Sequence, residues 1–275
     1  LGKVSKIILD NINKSLRSIL NVNQWINSTS VINWFNSINN KSDHTFLSFD
    51  IVEFYPSITE KLLDDVIIWA KSLIEIPDEE ISVIKHARKS LLFYNDKTWV
   101  KYNDQSLFDV TMGSYDGAEV CELVGLFLLN KLTDRFGKDS IGLYRDDGLL
   151  LLKGTGGRQA ELTRKQLHEI FKKYDLRITA EINHHIVNFL DVTLNLKEGS
   201  YQPYRKPNND PLYIDSRSNH PPNVIKQVPE SINTRLSSLS SDAKSFESSA
   251  PLYQDALNRS KYHTKLSFSR SHHNT

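Results

Sequence analysis

Apolar residues recur at helical spacing through the opening of the chain. Lys3 to Leu20 places Val4, Ile8, Ile12, Leu16 and Ile19 on one side, which predicts an amphipathic helix with a basic outer face. Val31, Trp34, Phe35 and Ile38 predict a second helix over 28–38. The period then changes: Thr45-Phe46-Leu47-Ser48-Phe49 is an apolar run that predicts a buried strand delivering Asp50 at its end. Thr59 is placed to cap a helix with Leu62, Leu63, Val66, Ile67 and Ala70 inward. Pro77 starts another, with Asp78, Glu79 and Glu80 in the first turn, where the helix dipole favours acids.

Further on, Leu92-Phe93-Tyr94 and Trp99-Val100-Lys101-Tyr102 flank Asn95-Asp96-Lys97 as a small hairpin. A long apolar helix is expected over 116–136, with Ala118, Cys121, Val124, Leu128 and Leu132 facing the core. Ile141 to Lys153 is two apolar arms about Asp146-Asp147-Gly148. The arms are too short for helices and Asp-Gly favours a hairpin turn, so a hairpin with two carboxylates at its tip is predicted. The unbroken run Leu149 to Leu152 predicts that this arm is covered on both sides. Gly154-Thr155-Gly156-Gly157 reads as a loop, and 158–174 as a basic amphipathic helix through Leu162, Leu167, Ile170 and Phe171. A strand follows at 176–182. Asn188 to Leu196 and Tyr201 to Pro207 pair about Lys197-Glu198-Gly199-Ser200 as another hairpin, and helices are expected near 227–239 and 250–260.

These elements predict an α+β fold. Its antiparallel sheet comes from the Asp50 strand, the 141–153 hairpin and the 176–182 strand, with helices 59–71 and 116–136 on one face and the other open for a ligand. Segments 1–42, 43–206 and 207–260 are expected as successive regions, with a disordered polar tail over 261–275.

With 275 residues the chain can bury a sizeable core, and 39% hydrophobic and 24% charged residues are the balance of a soluble globular protein. Its longest apolar runs are far short of a membrane span and no secretory signal pattern is present, so an intracellular setting without membrane contact is expected. Cys121 is the single cysteine, which excludes an internal disulfide and reads as a small buried hydrophobe. Net charge is only +1, but it is unevenly spread. Residues 1–42 hold five Lys/Arg against one Asp, 43–82 hold ten acids against two lysines, and 138–178 hold nine Lys/Arg against six acids. Basic walls around an acidic centre fit this alternation, and so do ordinary surface helices.

Asp146 and Asp147 alone would be ordinary turn chemistry. Together with the strand-end Asp50 they form a set of hard oxygen donors of the kind that holds two Mg²⁺, or Mn²⁺, for phosphoryl transfer. His184-His185 and His272-His273 lack partner ligands at a recognisable spacing.

Asp50-Ile51-Val52-Glu53-Phe54-Tyr55-Pro56-Ser57-Ile58, Met112-Gly113-Ser114 before a helix and Tyr144-Arg145-Asp146-Asp147 stand in the order of three reverse transcriptase palm elements, and the chain resembles that family over about residues 1–240. Tyr115-Asp116 stand where the family often has Pro-Leu. Phe189-Leu190-Asp191-Val192-Thr193-Leu194, Tyr204-Arg205-Lys206-Pro207 and Ser218-Asn219-His220-Pro221-Pro222 most resemble the Penelope-like branch of retroelements.

The resemblance implies RNA-directed DNA synthesis on an RNA template and DNA primer, with a deoxynucleotide as substrate. Asp50 and Asp146 would bridge two metals, with Ile51 beside them and Asp147 more peripheral. Ile51, Tyr55, Gly113 and Ser114 would meet the nucleotide, Tyr55 as the gate against a ribose hydroxyl. Tyr144, Arg145 and the primer-grip residues Phe189, Leu190 and Asp191 would meet primer and template, with Arg145 pointing away from Tyr144. Lys172 or Lys173 could protonate pyrophosphate, and each is equally a solvated helix-end lysine. The fingers that precede such a palm have no counterpart here, so a fragment or a decayed copy of a retroelement polymerase is expected. A catalytically inactive nucleic-acid-binding remnant and a primer-independent nucleotidyl cyclase are the competing readings.

Overall fold

A computed structural model describes residues 1–89, 92–99, 107–154 and 157–269. In chain order the helices are α1 (Gly2–Ile19), α2 (Ser28–Ser37), α3 (Phe54–Ser57), α4 (Glu60–Lys71), α5 (Asp78–Ala87), α6 (Gly117–Phe136), α7 (Gly157–Lys172), α8 (Pro222–Ser238) and α9 (Ala243–Arg259). The strands are β1 (Asn23–Gln24), β2 (His44–Ile51), β3 (Leu92–Tyr94), β4 (Lys97–Trp99), β5 (Ile141–Tyr144), β6 (Asp147–Lys153), β7 (Ile178–His184), β8 (Ile186–Phe189), β9 (Val192–Asn195) and β10 (Ser200–Pro203). The chain forms two compact units, Leu1–Trp25 with Leu47–Asn183, and Ile26–Phe46 with His184–Thr275.

The first unit carries a sheet in the order β1-β5-β6-β2-β7. The expected strands are all present, but β1 adds a parallel pairing with β5, so the sheet is mixed rather than wholly antiparallel. Leu47, Phe49 and Ile51 of β2 and Leu150 and Leu152 of β6 share one core with Leu63 and Val66 of α4, Leu126 of α6 and Phe171 of α7. Helix α4 forms as its pattern predicts: Thr59 Oγ1 accepts from Leu62 N at 3.1 Å, and Leu62, Leu63, Val66, Ile67 and Ala70 are buried.

The expectation of an open second face does not hold along the hairpin. Leu149 is fully buried, Leu151 nearly so, and Trp25 lies against Gly142. Four consecutive leucines bury area on both sides of a strand, as a two-sided core requires.

Helix α1 turns a different face inward from the one its apolar spacing suggests. Ser5, Leu9, Ile12, Asn13 and Leu16 are buried, while Val4 and Ile19 are each 52% exposed. Polar pairing explains the rotation. Lys6 pairs with Glu119, Arg17 Nη2 lies 2.7 Å from Glu122 Oε2, and Asn13 Nδ2 donates to the Glu119 carbonyl at 2.9 Å. Two of the bases expected on an outer face, Lys6 and Arg17, are therefore held by the acids of α6. Leu162 of α7 is likewise exposed rather than inward, the buried positions being Ala160, Leu167 and Phe171.

In the second unit β8, β9 and β10 form an antiparallel sheet. The turn at 197–200 is present, but the stretch from Asn188 to Leu196 is not one strand. It breaks at Leu190-Asp191, where Phe189 pairs with Val192 across a two-residue turn. Helices α8 and α9 start earlier than the pattern suggests, and each continues through an interior proline, Pro229 and Pro251, that would ordinarily mark a helix start. Lys261 to Ser269, expected to be disordered, packs: Tyr262 and Leu266 join Leu236, Phe246 and Leu257 in a second core. Val100 to Tyr102, Thr155-Gly156, and the end of the tail with His272-His273 lie outside the described residues. The small hairpin turns on Asn95 and Asp96, both at positive φ, which suits a two-residue turn.

Candidate functional site

The hairpin and the β2 strand meet at their ends. Strands β6 and β2 are neighbours in the sheet, and Ile51 N donates to the Asp146 carbonyl at 3.0 Å. Close approach depends on Gly148. A Cβ there would sit 2.0 Å from the Phe49 ring, which packs in turn on Phe171 with centroids 5.7 Å apart. The glycine therefore serves packing and not the turn, which corrects the Asp-Gly reading. Tyr144 pairs with Asp147, so Arg145 and Asp146 are the two turn residues. Arg145 takes φ 53, a conformation that costs a non-glycine residue free energy and persists where its surroundings over-determine it. Its guanidinium carbon lies 5.5 Å over the Tyr144 ring, not away from it as strand alternation suggested, because Arg145 is in the turn.

Only one of the two expected carboxylates is therefore at the tip. Asp146 occupies the turn and Asp147 opens β6. Since Leu150 and Leu152 face the helices, strand alternation sets Asp147, like Asp50, on the other face. Burial raises the Asp50 pKa above the usual aspartate range, and the Asp146 charge raises it further. A partly buried carboxylate at Asp50 beside a second negative charge makes a site that a cation relieves.

Among the described residues no group of three or more His, Cys, Asp or Glu is arranged to hold a metal. The pair fits Mg²⁺ in the way that ion is commonly bound, by one or two carboxylates with water and substrate phosphate in the remaining positions. Ile51 is buried and its amide is committed to Asp146, so it could add only a backbone carbonyl.

Tyr55, in α3, joins this centre. Burial and the neighbouring Cys121 raise its pKa, and the charges of Arg145 and Asp146 both bear on it. Burial, with the nearby Asp146, pushes the Cys121 pKa up to about 12, so the thiol stays protonated and is no nucleophile.

The loop before α6 is anchored from beneath. Arg88 and Asp116, 2% and 1% exposed, form a buried ion pair, and Asp109 N donates to the Arg88 carbonyl at 2.9 Å. No sequence signal marks this pair, because its members lie on separate elements. Above it, Gly113 takes φ 88 with nothing within 4 Å of where a Cβ would stand, leaving backbone open to a ligand. Ser114 instead spends its hydroxyl on the Thr111 carbonyl at 2.8 Å. Lys172 and Lys173 are exposed at the end of α7.

In the second unit Leu190 takes φ 52 in the turn that presents Asp191, whose carboxylate receives Arg235 Nη2 at 2.8 Å and the Ser28 hydroxyl at 3.3 Å. Arg235 was not anticipated; its partner lies more than forty residues away.

No protein-family model matches the chain, and no curated protein does. Solved structures do. It is similar to telomerase from Candida albicans in complex with the TWJ fragment of telomeric RNA, at 11% identity over 94% of this chain and 48% of that one, with a TM-score of 0.60. Apo telomerase from Candida tropicalis matches at 10% identity over 94% and 48%, with a TM-score of 0.56. The Candida tropicalis telomerase with its TWJ fragment matches at 12% identity over 94% and 46%, with a TM-score of 0.53. The chain spans about half the length of these telomerases. Among the described residues no helix is long and apolar enough to cross a membrane. The chain shares the fold of these telomerases over about half their length, mixed α+β, with Asp50 and Asp146 together at the end of its central strands.

Proposed function

We propose that this chain is the palm of an RNA-directed DNA polymerase from a retroelement, of the Penelope-like branch that its C-terminal motifs resemble. It would transfer a nucleotide from a deoxynucleoside triphosphate to a primer 3′-hydroxyl. The observation that carries the reading is the meeting of Asp50 and Asp146 across adjacent strands, with a raised Asp50 pKa, inside a polymerase fold. Asp50 and Asp146 would hold Mg²⁺ between them, with Asp147 more peripheral. Bound there, the ion would supply charge neutralisation at the phosphate and acidify the attacking hydroxyl.

The other residues position. Tyr55, within the influence of Cys121, Arg145 and Asp146, would crowd a ribose 2′-hydroxyl. Gly113 offers open backbone to the nucleotide, and Arg145 offers a cation at the turn for primer phosphate.

The test is extension of oligo(dT) on poly(rA) with Mg²⁺ or Mn²⁺, together with thermal melting across a Mg²⁺ titration. Extension by the wild type and none by Asp146→Asn is expected, and Mg²⁺ should raise the wild-type Tm but not that of the variant. No extension with either ion, and no Tm difference between the proteins, would reject the reading and leave a nucleic-acid-binding remnant.

A further inference from the structure

A pocket of about 670 Å³ opens within the second unit, in the size range of small-ligand sites. It lies where β8 turns into β9, between the 204–213 segment and helices α8 and α9, and its lining is unlike ordinary surface. Tyr204, Tyr213 and Tyr253 bring three aromatic rings to it, while Arg205, Lys206 and Arg235 bring three cations.

Two of the cations are held in place, by acids that also line the pocket. Arg205 Nη1 is 2.5 Å from Asp210 Oδ1 and Arg235 Nη2 is 2.8 Å from Asp191 Oδ2. A guanidinium carries five N–H donors, so each arginine fixed through one nitrogen still has others for a second acceptor. Tyr253 lies in the field of Arg235, Arg205 and Asp191, and burial keeps its hydroxyl protonated, and therefore a donor. Tyr213 shares that field through Tyr253 and Arg235.

Rings beside pre-oriented guanidiniums suit a ligand with a flat face and an anionic edge. Single-stranded nucleic acid is built that way, with bases that stack on aromatic side chains and phosphates that take Arg and Lys. We infer that this pocket seats one unpaired nucleotide of a single strand, its base against Tyr213 or Tyr253 and its phosphate on Arg205 and Arg235. Leu190 and Asp191, expected to meet primer and template, line the same pocket, so the inference deepens that part of the proposed function while leaving the chemistry at Asp50 and Asp146 aside.

The experiment compares fluorescence-anisotropy binding of a fluorescein-labelled oligo(dT) ten-mer with that of an abasic ten-mer. The proteins are the wild type, Tyr253→Leu, Tyr253→Phe, an Arg205→Gln/Arg235→Gln double variant and Asp146→Asn. The wild type should bind oligo(dT) about tenfold more tightly than the abasic strand, as stacking of one base allows. Tyr253→Leu should lose most of that preference, and Tyr253→Phe, which keeps the ring, should retain it. Loss of the arginine pair should weaken both strands by about tenfold, with the Tm of the double variant checked alongside. Asp146→Asn should bind as the wild type does, whatever its effect on extension. Equal binding of the two strands by the wild type, or full binding by the double arginine variant, would overturn the inference.

Discussion

Asp50 carries a cost in its ionised form, because its surroundings are partly dry and Asp146 is also negative. The folded chain therefore holds the Asp50 proton more tightly than the unfolded chain does. With the folded pKa above the unfolded one, stability falls as pH rises from the ordinary aspartate range through the raised value, and the penalty then persists. Asp50→Asn removes it. Its Tm relative to wild type should be nearly unchanged at about pH 3 and higher at about pH 7 without divalent ion, measured by calorimetry across pH. An unchanged difference over that range would refute the electrostatic account. The three acids were legible because acid at a strand end and acid at a hairpin are local patterns. Which of the hairpin acids pairs with Asp50 came from the family resemblance and not from local pattern, since in the chain itself it depends on whether the turn is Arg145-Asp146 or Asp147-Gly148, and Gly148 is needed by Phe49.

Elements meet at this site through two contacts that a periodicity cannot reveal. One is the Phe49 ring over Gly148. Gly148→Ala places a methyl group into a buried ring and should cost about 1–3 kcal/mol, read from urea unfolding. Phe49→Leu in the same chain should recover part of that loss. The other is Arg88–Asp116, which ties the end of α5 to the loop before α6. Arg88→Met strands a buried carboxylate and should cost about 3–5 kcal/mol. Adding Asp116→Leu should return much of the stability, because two apolar groups need no desolvation. A double variant as unstable as the single one would mean that the pair's charge is not the issue. Helix α4 was readable in detail because its cap and stripe are local, whereas α1 was misread by its apolar spacing. Its orientation is set by Lys6, Asn13 and Arg17, which answer Glu119 and Glu122 a hundred residues away.

Across the whole molecule net charge is close to zero, so no global field gathers nucleic acid and binding must rest on local cations. For a short single strand on the second unit these are Arg205, Lys206 and Arg235. At roughly 0.7 counterions released per phosphate neutralised, the slope of log K against log salt should be about −2. A titration with a slope near zero would remove the pocket from the interface. From the residues in order one could read the α+β class, most element positions and the acids that suggest phosphoryl transfer. Those features follow from periodicity, capping and turn chemistry, which act over a few neighbours. Folding in three dimensions alone decided that β1 lies parallel to β5, that Asp146 rather than Asp147 sits at the turn, and that Arg235 meets Asp191. The first and last are contacts between segments far apart along the chain, and the turn is fixed by one, Phe49 against Gly148, so each depends on which distant surfaces pack together.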